Sequence, residues 1–269
     1  MGAKPRGEAS SVQSDDTRRR DGMRAASAQS KADRPAGKSP ARSSARARSL
    51  SVAAALIVGA ALCYGGVAQL AAGLLQARAA AILSEIDWDK GKAPAAHVAL
   101  AVADLDDADH WWPQSVNAYD RATAEARLAT RSETASAARP TLDAALRDLG
   151  RSLKQDPANA GAWAWLSFVL FAEQGASPAT IDSLSLSIEL ARFDPNLLPI
   201  RCEVGLFIYP ALDAQGRAAL GDQIRLLGRN SIGDLVEVAR VTHSLNVVIE
   251  ALLAGDNRTV IRFLNILQS

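Results

Sequence analysis

The chain has 269 residues, 48% of them hydrophobic and 22% charged, with a formal net charge of +1. That length admits one large domain or two small ones. Its two cysteines exclude a disulfide framework within a domain and offer no metal-ligand spacing, because Cys63 lies in an apolar run and Cys202 stands alone beyond it.

The near-neutral total conceals an asymmetry. Residues 1–48 hold twelve Lys/Arg, including Arg18, Arg19, Arg20, Arg42, Arg46 and Arg48, against five Asp/Glu, while the part beyond the apolar run is net acidic. Val12 and Met23 are almost the only sizeable apolar side chains in that tail. It cannot bury enough surface to offset its ordering entropy and is expected to be disordered. The tail carries no aromatic residue, which argues against a stacking nucleic-acid module, so no nucleic acid is expected as a partner. A basic tail beside a membrane is suited to anionic lipid headgroups.

No charged residue occurs from Ser49 to Ala77. The stretch Leu50 to Leu75 would reach about 39 Å as a helix, enough to cross a hydrocarbon core of about 30 Å with some tilt. A secretory signal has a shorter apolar core and a small-residue cleavage site, for which Gly66-Val67-Ala68 and Ala77-Arg78-Ala79 are candidates. The length of the run and of the tail before it favours a retained single-span anchor. Lys/Arg before the span predict a cytoplasmic N-terminus and a translocated C-terminal part. Small residues four apart, Ala55, Gly59 and Cys63, then Ala61 and Gly65, would permit close helix approach and self-association.

From Gln76 onward helix periodicity dominates. Breaks fall at Trp112-Pro113, Arg139-Pro140, Asp156-Pro157-Ala158-Asn159, Ser177-Pro178, Asp194-Pro195-Asn196 and Arg229-Asn230. Between them, Thr141–Lys154 places Leu142, Ala145, Leu146, Leu149 and Leu153 on one stripe, and Ala160–Glu173 and Thr180–Arg192 follow as further helices. The Asp-Pro break recurs after 38 residues, and Arg229-Asn230 follows at a similar interval. A period of that size with two helices per unit indicates a helical repeat array.

On these residues the chain resembles the tetratricopeptide family. Ala145, Leu149, Ser152 and Asp156-Pro157 are similar to the second helix and exit of one repeat, and Ala162-Trp163-Ala164-Trp165-Leu166-Ser167 to the opening of the next. Gly205 falls where a further repeat would place its small residue. The resemblance covers roughly residues 114–230 and implies a solenoid with a concave protein-binding surface. Extra residues around Gly175–Pro178 and a third unit without the early aromatic depart from the pattern. Beyond it, Asp234–Leu253 reads as one long apolar helix and Thr259–Leu267 as a short one, a closing cap for the array.

The fold class is thus all-α. It comprises a disordered basic tail over 1–48, a transmembrane helix over 49–77, a juxtamembrane helix and linker over 78–113, and a tetratricopeptide-like domain with capping helices over 114–269.

Candidate sites are few. Asp104, Asp106, Asp107, Asp109 and His110 form a dense acidic cluster, but counting from Asp104 the positions a calcium loop reserves for Gly and Glu hold Asp109 and Ser115. A solvated helix end or turn is expected there, which only a fold bringing it beside Glu125 or Glu203 would convert into a catalytic cleft. His97, His110 and His243 form no zinc-binding motif, and Gly37-Lys38-Ser39 lacks the upstream glycine of a phosphate loop. No catalytic residue, cofactor or metal is expected, and the chain does not read as an enzyme.

The tryptophans remain: Trp88, Trp111, Trp112, Trp163 and Trp165. Trp163 and Trp165 point about 200° apart on a helix. One should pack between helices while the other faces a neighbour, the groove or solvent, although a multi-helix core could bury both. Trp163, Trp165, Trp111 and Trp112 are candidate partner contacts. The expected role is a single-pass scaffold of a bacterial inner membrane whose periplasmic domain holds other envelope proteins. The pattern around Pro210-Ala211-Leu212-Asp213 and Arg217–Leu227 is similar to accessory proteins of exopolysaccharide synthesis. Factors of cytochrome maturation or of the translocon, or an enzyme of unknown class, are the alternatives.

Overall fold

The computed structural model describes residues 41–86, 94–255 and 257–268. The tail residues 1–40 and Trp88 lie outside the described residues. Contacts divide the chain into two units, residues 1–54 and 55–269. Among the described residues all regular structure is helical.

The first helix, α1, spans Ala41–Glu85, and its part from Leu50 onward is long and apolar enough to cross a membrane. It exceeds the expected span at both ends. The tail was expected to be disordered to residue 48, yet Arg42, Arg46 and Arg48 belong to the first turns of α1. At the other end, Arg78–Glu85 continues the same helix into the region where a juxtamembrane helix and linker were expected. Both extensions consist mostly of Ala, Arg, Ser, Leu and Ile without Gly or Pro, so nothing stops propagation from the nucleated apolar run.

Helix α2, Ala95–Trp111, runs antiparallel to the end of α1: Ile86 clusters with Val98, and Ala79 with Ala101 and Leu105. Ala124 of α3, Ser115–Ala129, joins the first of these clusters. Within the 78–113 region expected to hold a juxtamembrane helix and linker, residues 95–111 form a helix packed on the end of α1.

Helix α4, Ala135–Gln155, starts six residues earlier than its leucine stripe suggested. Thr134 caps it by accepting from the Ala137 amide, and Pro140 lies within it. Pro140 sits in the second turn, where it forfeits one backbone hydrogen bond but does not end the helix. Helices α5 (Ala160–Gln174) and α6 (Pro178–Leu190) match the periodicity, capped by Asn159 and Ser177. Then come α7 (Leu198–Phe207), a single 3-10 turn (Tyr209–Ala211) and α8 (Ala214–Asn230). Neighbours in sequence pair as α3 with α4, α5 with α6, and α7 with α8.

The 38-residue recurrence is structural at the turns. Asp156 Oδ1 accepts from the Ala158 amide at 3.2 Å, and Asp194 Oδ1 from the Asn196 amide at 3.0 Å. In both turns the Asp carbonyl also accepts from the amide three residues on, in Asn159 and Leu197. Helix α5 begins one residue after the first turn and α7 one residue after the second. At Gly205 a Cβ would lie 2.5 Å from Leu220 Cδ1, so the missing side chain permits close approach of α7 and α8.

The long C-terminal helix expected over 234–253 is two helices, α9 (Ile232–Val241) and α10 (Leu245–Leu253), followed by α11 (Asn257–Gln268). His243 lies between them with φ of +52° in the left-handed region, which His tolerates better than bulky residues. The Ser244 hydroxyl donates to the Thr242 carbonyl, a backbone group that a continuous helix would use. The apolar pattern runs through the break because both short helices pack against the same core, which extends from Ala122 to Phe263.

Candidate functional site

The two neighbouring tryptophans of α5 part as their spacing requires. Trp165 is buried, packed edge-on against Phe168 at 5.6 Å between ring centroids, with the Arg127 guanidinium 5.3 Å from its own centroid. Trp163 is half-buried, and its Nε1 donates to the Pro157 carbonyl at 2.9 Å, tying α5 to the turn before it. Trp165 thus presents no free face for a macromolecular partner, whereas Trp163 keeps part of its ring exposed. Trp111 and Trp112 lie at the end of α2, 46% and 38% exposed.

Trp165 also lines a cavity of about 340 Å³ between the end of α1, α3 and α5, with Ser84, Tyr119, Asp120, Thr123 and Arg127 around it. Burial pushes the Asp120 carboxyl up to about 6, and burial followed by the Asp120 charge raises Tyr119. A second cavity, of about 850 Å³, opens between the start of α4 and the end of α5, beside Arg139, Asp143 and Glu173.

The acidic run lies at the end of α2, as expected, but it is only partly solvated: Asp104 and Asp109 face inward. Asp104 is buried, and Arg78 Nε of α1 lies 3.3 Å from its Oδ2. Asp106 accepts from Arg121 Nη1 at 3.0 Å, and Asp109 from Arg151 Nη1 at 3.0 Å. Asp107 and His110 are exposed. Arg121, itself buried, holds Asp148 of α4 through Nε and through Nη2, the latter at 2.8 Å. These pairs join α1 through α4.

The fold does bring the acidic run close to Glu125, one helical turn beyond Arg121, though not to Glu203 of α7. Glu125 Oε2 is buried without a hydrogen-bond partner, and burial first, then the Asp148 charge, pushes its carboxyl up to about 7. Its neighbours Arg121 and Arg147 act in the opposite direction. The side chains around it are engaged in ion pairs, and both cavities described above are lined by other residues. Among the described residues no group of three or more His, Cys, Asp or Glu could hold a metal ion.

A second buried cation, Arg201 of α7, is 0% exposed. Its guanidinium donates to the carbonyls of Ser187 and Ala191, at 2.5 and 2.8 Å, and to the Ser187 hydroxyl at 2.9 Å. Ser187 passes the connection to the Ala160 carbonyl, and Gln223 accepts from Arg201 while donating to the Arg192 carbonyl. Four helices, α5 to α8, meet in this network. The C-terminal carbonyls of α6 supply the partial negative charge that a carboxylate would otherwise provide. Burial lowers the Arg201 pKa to about 10, which leaves it charged at neutral pH.

No family model, no curated protein and no solved structure matches this chain. Neither Arg121 nor Arg201 was singled out by sequence reasoning, yet both left a signal. Arg121 falls in step with Ala118, Ala122 and Glu125, and Arg201 with Leu198, Cys202 and Gly205, so each cation stands on an inward stripe.

A surface that sequence reasoning missed lies on α6. Leu186 and Leu190 sit four residues apart and 38% and 44% exposed, and Phe193 continues the row in the following turn at 74%. Arg192, next to Phe193 in the chain, lies over its ring at 5.9 Å.

Proposed function

We propose that this chain is a single-pass, membrane-anchored scaffold whose helical domain holds other envelope proteins together. The observation that carries the reading is the outward row Leu186, Leu190 and Phe193 on a helix whose inward face is already occupied by Leu184, Ser187 and Ile188. A helix that buries one apolar face and displays a second is suited to receive a partner. The polar interior supports the same reading: the Arg121 and Arg201 networks fix helix against helix, the rigidity a docking platform requires.

The anchor is the charge-free part of α1, in a bacterial inner membrane, with the basic tail cytoplasmic and the domain periplasmic, as the Lys/Arg asymmetry favours. Service in exopolysaccharide synthesis or export rests on the resemblance around Pro210–Leu227 alone. Arrangement of the hairpins as a tetratricopeptide-like solenoid is supported by the matching turns at Asp156 and Asp194. Trp163 would extend the partner surface at the α4–α5 turn.

The test is capture of the tagged full-length protein from membranes of its own cell after cross-linking, beside the L186S/L190S/F193S variant. The wild type should recover a defined set of envelope proteins that the variant loses while keeping its helical circular dichroism. Equal recovery by both would rule this row out as the contact surface.

A further inference from the structure

The helix α1 is longer than a bilayer needs, so the height at which it leaves the membrane must be marked by something other than its own length. About 20 residues cross a hydrocarbon core, and counted from Leu50 they end near Gln69. The outward face of α1 changes character just beyond that point. Val67, Leu70 and Leu74 are exposed and large, whereas the exposed positions that follow are Ala77, Arg78, Ala80, Ala81, Ser84 and Glu85. The inward face changes too. Residues are open from Leu50 to Tyr64, then Ala68, Ala72 and Ala79 are buried, with Leu75, Ile82 and Ile86 continuing a seam at alternating steps of four and three. That spacing is the repeat of paired helices.

Its counterpart on α2 has the same spacing: Val98, Ala101, Leu105 and Ala108 are buried, and the next step is Trp112. The Arg78–Asp104 pair fixes the antiparallel register. Seven residues further along α2 and seven back along α1, about 10 Å away, Trp111 comes level with Ala71, and Trp112, the next residue, with Leu70. The exchange of large apolar for small and charged residues on α1, after Leu74, lies about one helical turn further from the bilayer centre, so the pair sits at the last exposed large apolar residues. From Trp111 to Tyr119 the chain carries no charge, while Asp109, Asp107 and Asp106 begin just above.

We propose that Trp111 and Trp112 seat the α2–α3 turn in the outer interface of the bilayer that α1 spans, contacting lipid at the boundary between acyl chains and headgroups. Tryptophan concentrates there because its ring is apolar and its N–H wants a polar partner. Two anchors on neighbouring antiparallel helices would fix the tilt of the domain as well as its height. The inference rests on the anchor reading of α1.

It is tested on the full-length protein reconstituted into phosphatidylcholine vesicles, with lipids brominated either high on the acyl chain or near its end. Tryptophan emission of the wild type should be quenched more by the shallow label than by the deep one, and W111F/W112F should lose most of that quenching. The depth preference of the wild type needs no variant, so a fold defect in the double substitution does not spoil the test. A chain that fails to float with the vesicles would overturn the anchor and this inference together. A chain that inserts and shows no quenching, or equal quenching in wild type and variant, would overturn only the seating of the turn. Loss of captured proteins from the double variant, without lipid quenching, would mark the pair as a protein contact and overturn the inference as well.

Discussion

Asp148 on α4 accepts both Nε and Nη2 of Arg121 on α3, where each side chain is about nine-tenths or more buried. The pair forms the centre of an ion network reaching Asp106 and Asp109 of α2 and Arg151 of α4. It is therefore the point at which α2, α3 and α4 are registered against one another. Removing one member should be worse than removing both, because a lone buried charge keeps its desolvation cost. D148A should lower stability by about 3–5 kcal/mol, and R121M/D148L should recover much of that loss. Urea unfolding of the detergent-solubilised chain reads the difference.

Arg201 offers a contrast, since its charge is met by carbonyls instead of a carboxylate. R201L should remove the charge-assisted bonds to the Ser187 and Ala191 carbonyls, at about 1.5–3 kcal/mol for each bond, while those carbonyls keep the Ala191 and Asp194 amides. R201K should recover only part, because an ammonium cannot match the planar fork. Thermal unfolding of the three proteins followed by circular dichroism would order them wild type, Lys, Leu.

Glu125 gives stability a pH dependence of definite sign. Its folded pKa of about 7 lies above the ordinary value of 4.5, so between these values the folded chain binds more protons than the unfolded one. Stability from this group is complete below 4.5 and is lost as pH rises through 7. Asp120, raised to about 6 from 3.8, acts in the same sense over a lower window. E125Q should therefore flatten the decline in urea midpoint between pH 5 and pH 8 relative to wild type. An unchanged slope would mean that Glu125 does not titrate as a buried acid.

At Gly205 the demand is steric. G205A would set a Cβ 2.5 Å from Leu220 Cδ1 and should cost about 1–3 kcal/mol through displacement of α8 from α7. L220A would vacate that contact, so the double variant G205A/L220A should be less destabilised than the sum of the two single ones. A thermodynamic cycle on the four proteins measures the coupling.

Topology completes the predictions. With the topology proposed from the Lys/Arg asymmetry, a phosphatase fused at Ser269 should be active and a fluorophore that matures only in the cytoplasm should be dark. The reverse pattern would overturn the periplasmic domain and the scaffold role with it.

The sequence by itself determined the features whose causes are local. A run of 29 uncharged residues, 49–77, makes a membrane-length helix because each peptide group is bonded within the helix whatever lies around it. Asp156-Pro157 and Asp194-Pro195 make turns, and Asn159 and Ser177 open helices, because a side chain reaches a backbone amide only two or three residues away. Even so, locality misled at Pro140, which lies within a helix, and at His243, where an unbroken apolar pattern conceals a turn. Only the tertiary structure decided the fate of the polar residues. Composition made Asp104–His110 a solvated helix end or turn, yet Asp104 pairs with Arg78, Asp109 with Arg151, and Asp106 with an Arg121 that it shares with Asp148, 27 residues beyond that arginine. Arg201 reads as one more helix charge until α5, α6 and α8 close around it. Whether a charge sits in water or in a core is set by the groups that distant helices bring to it, and the chain order does not carry that information.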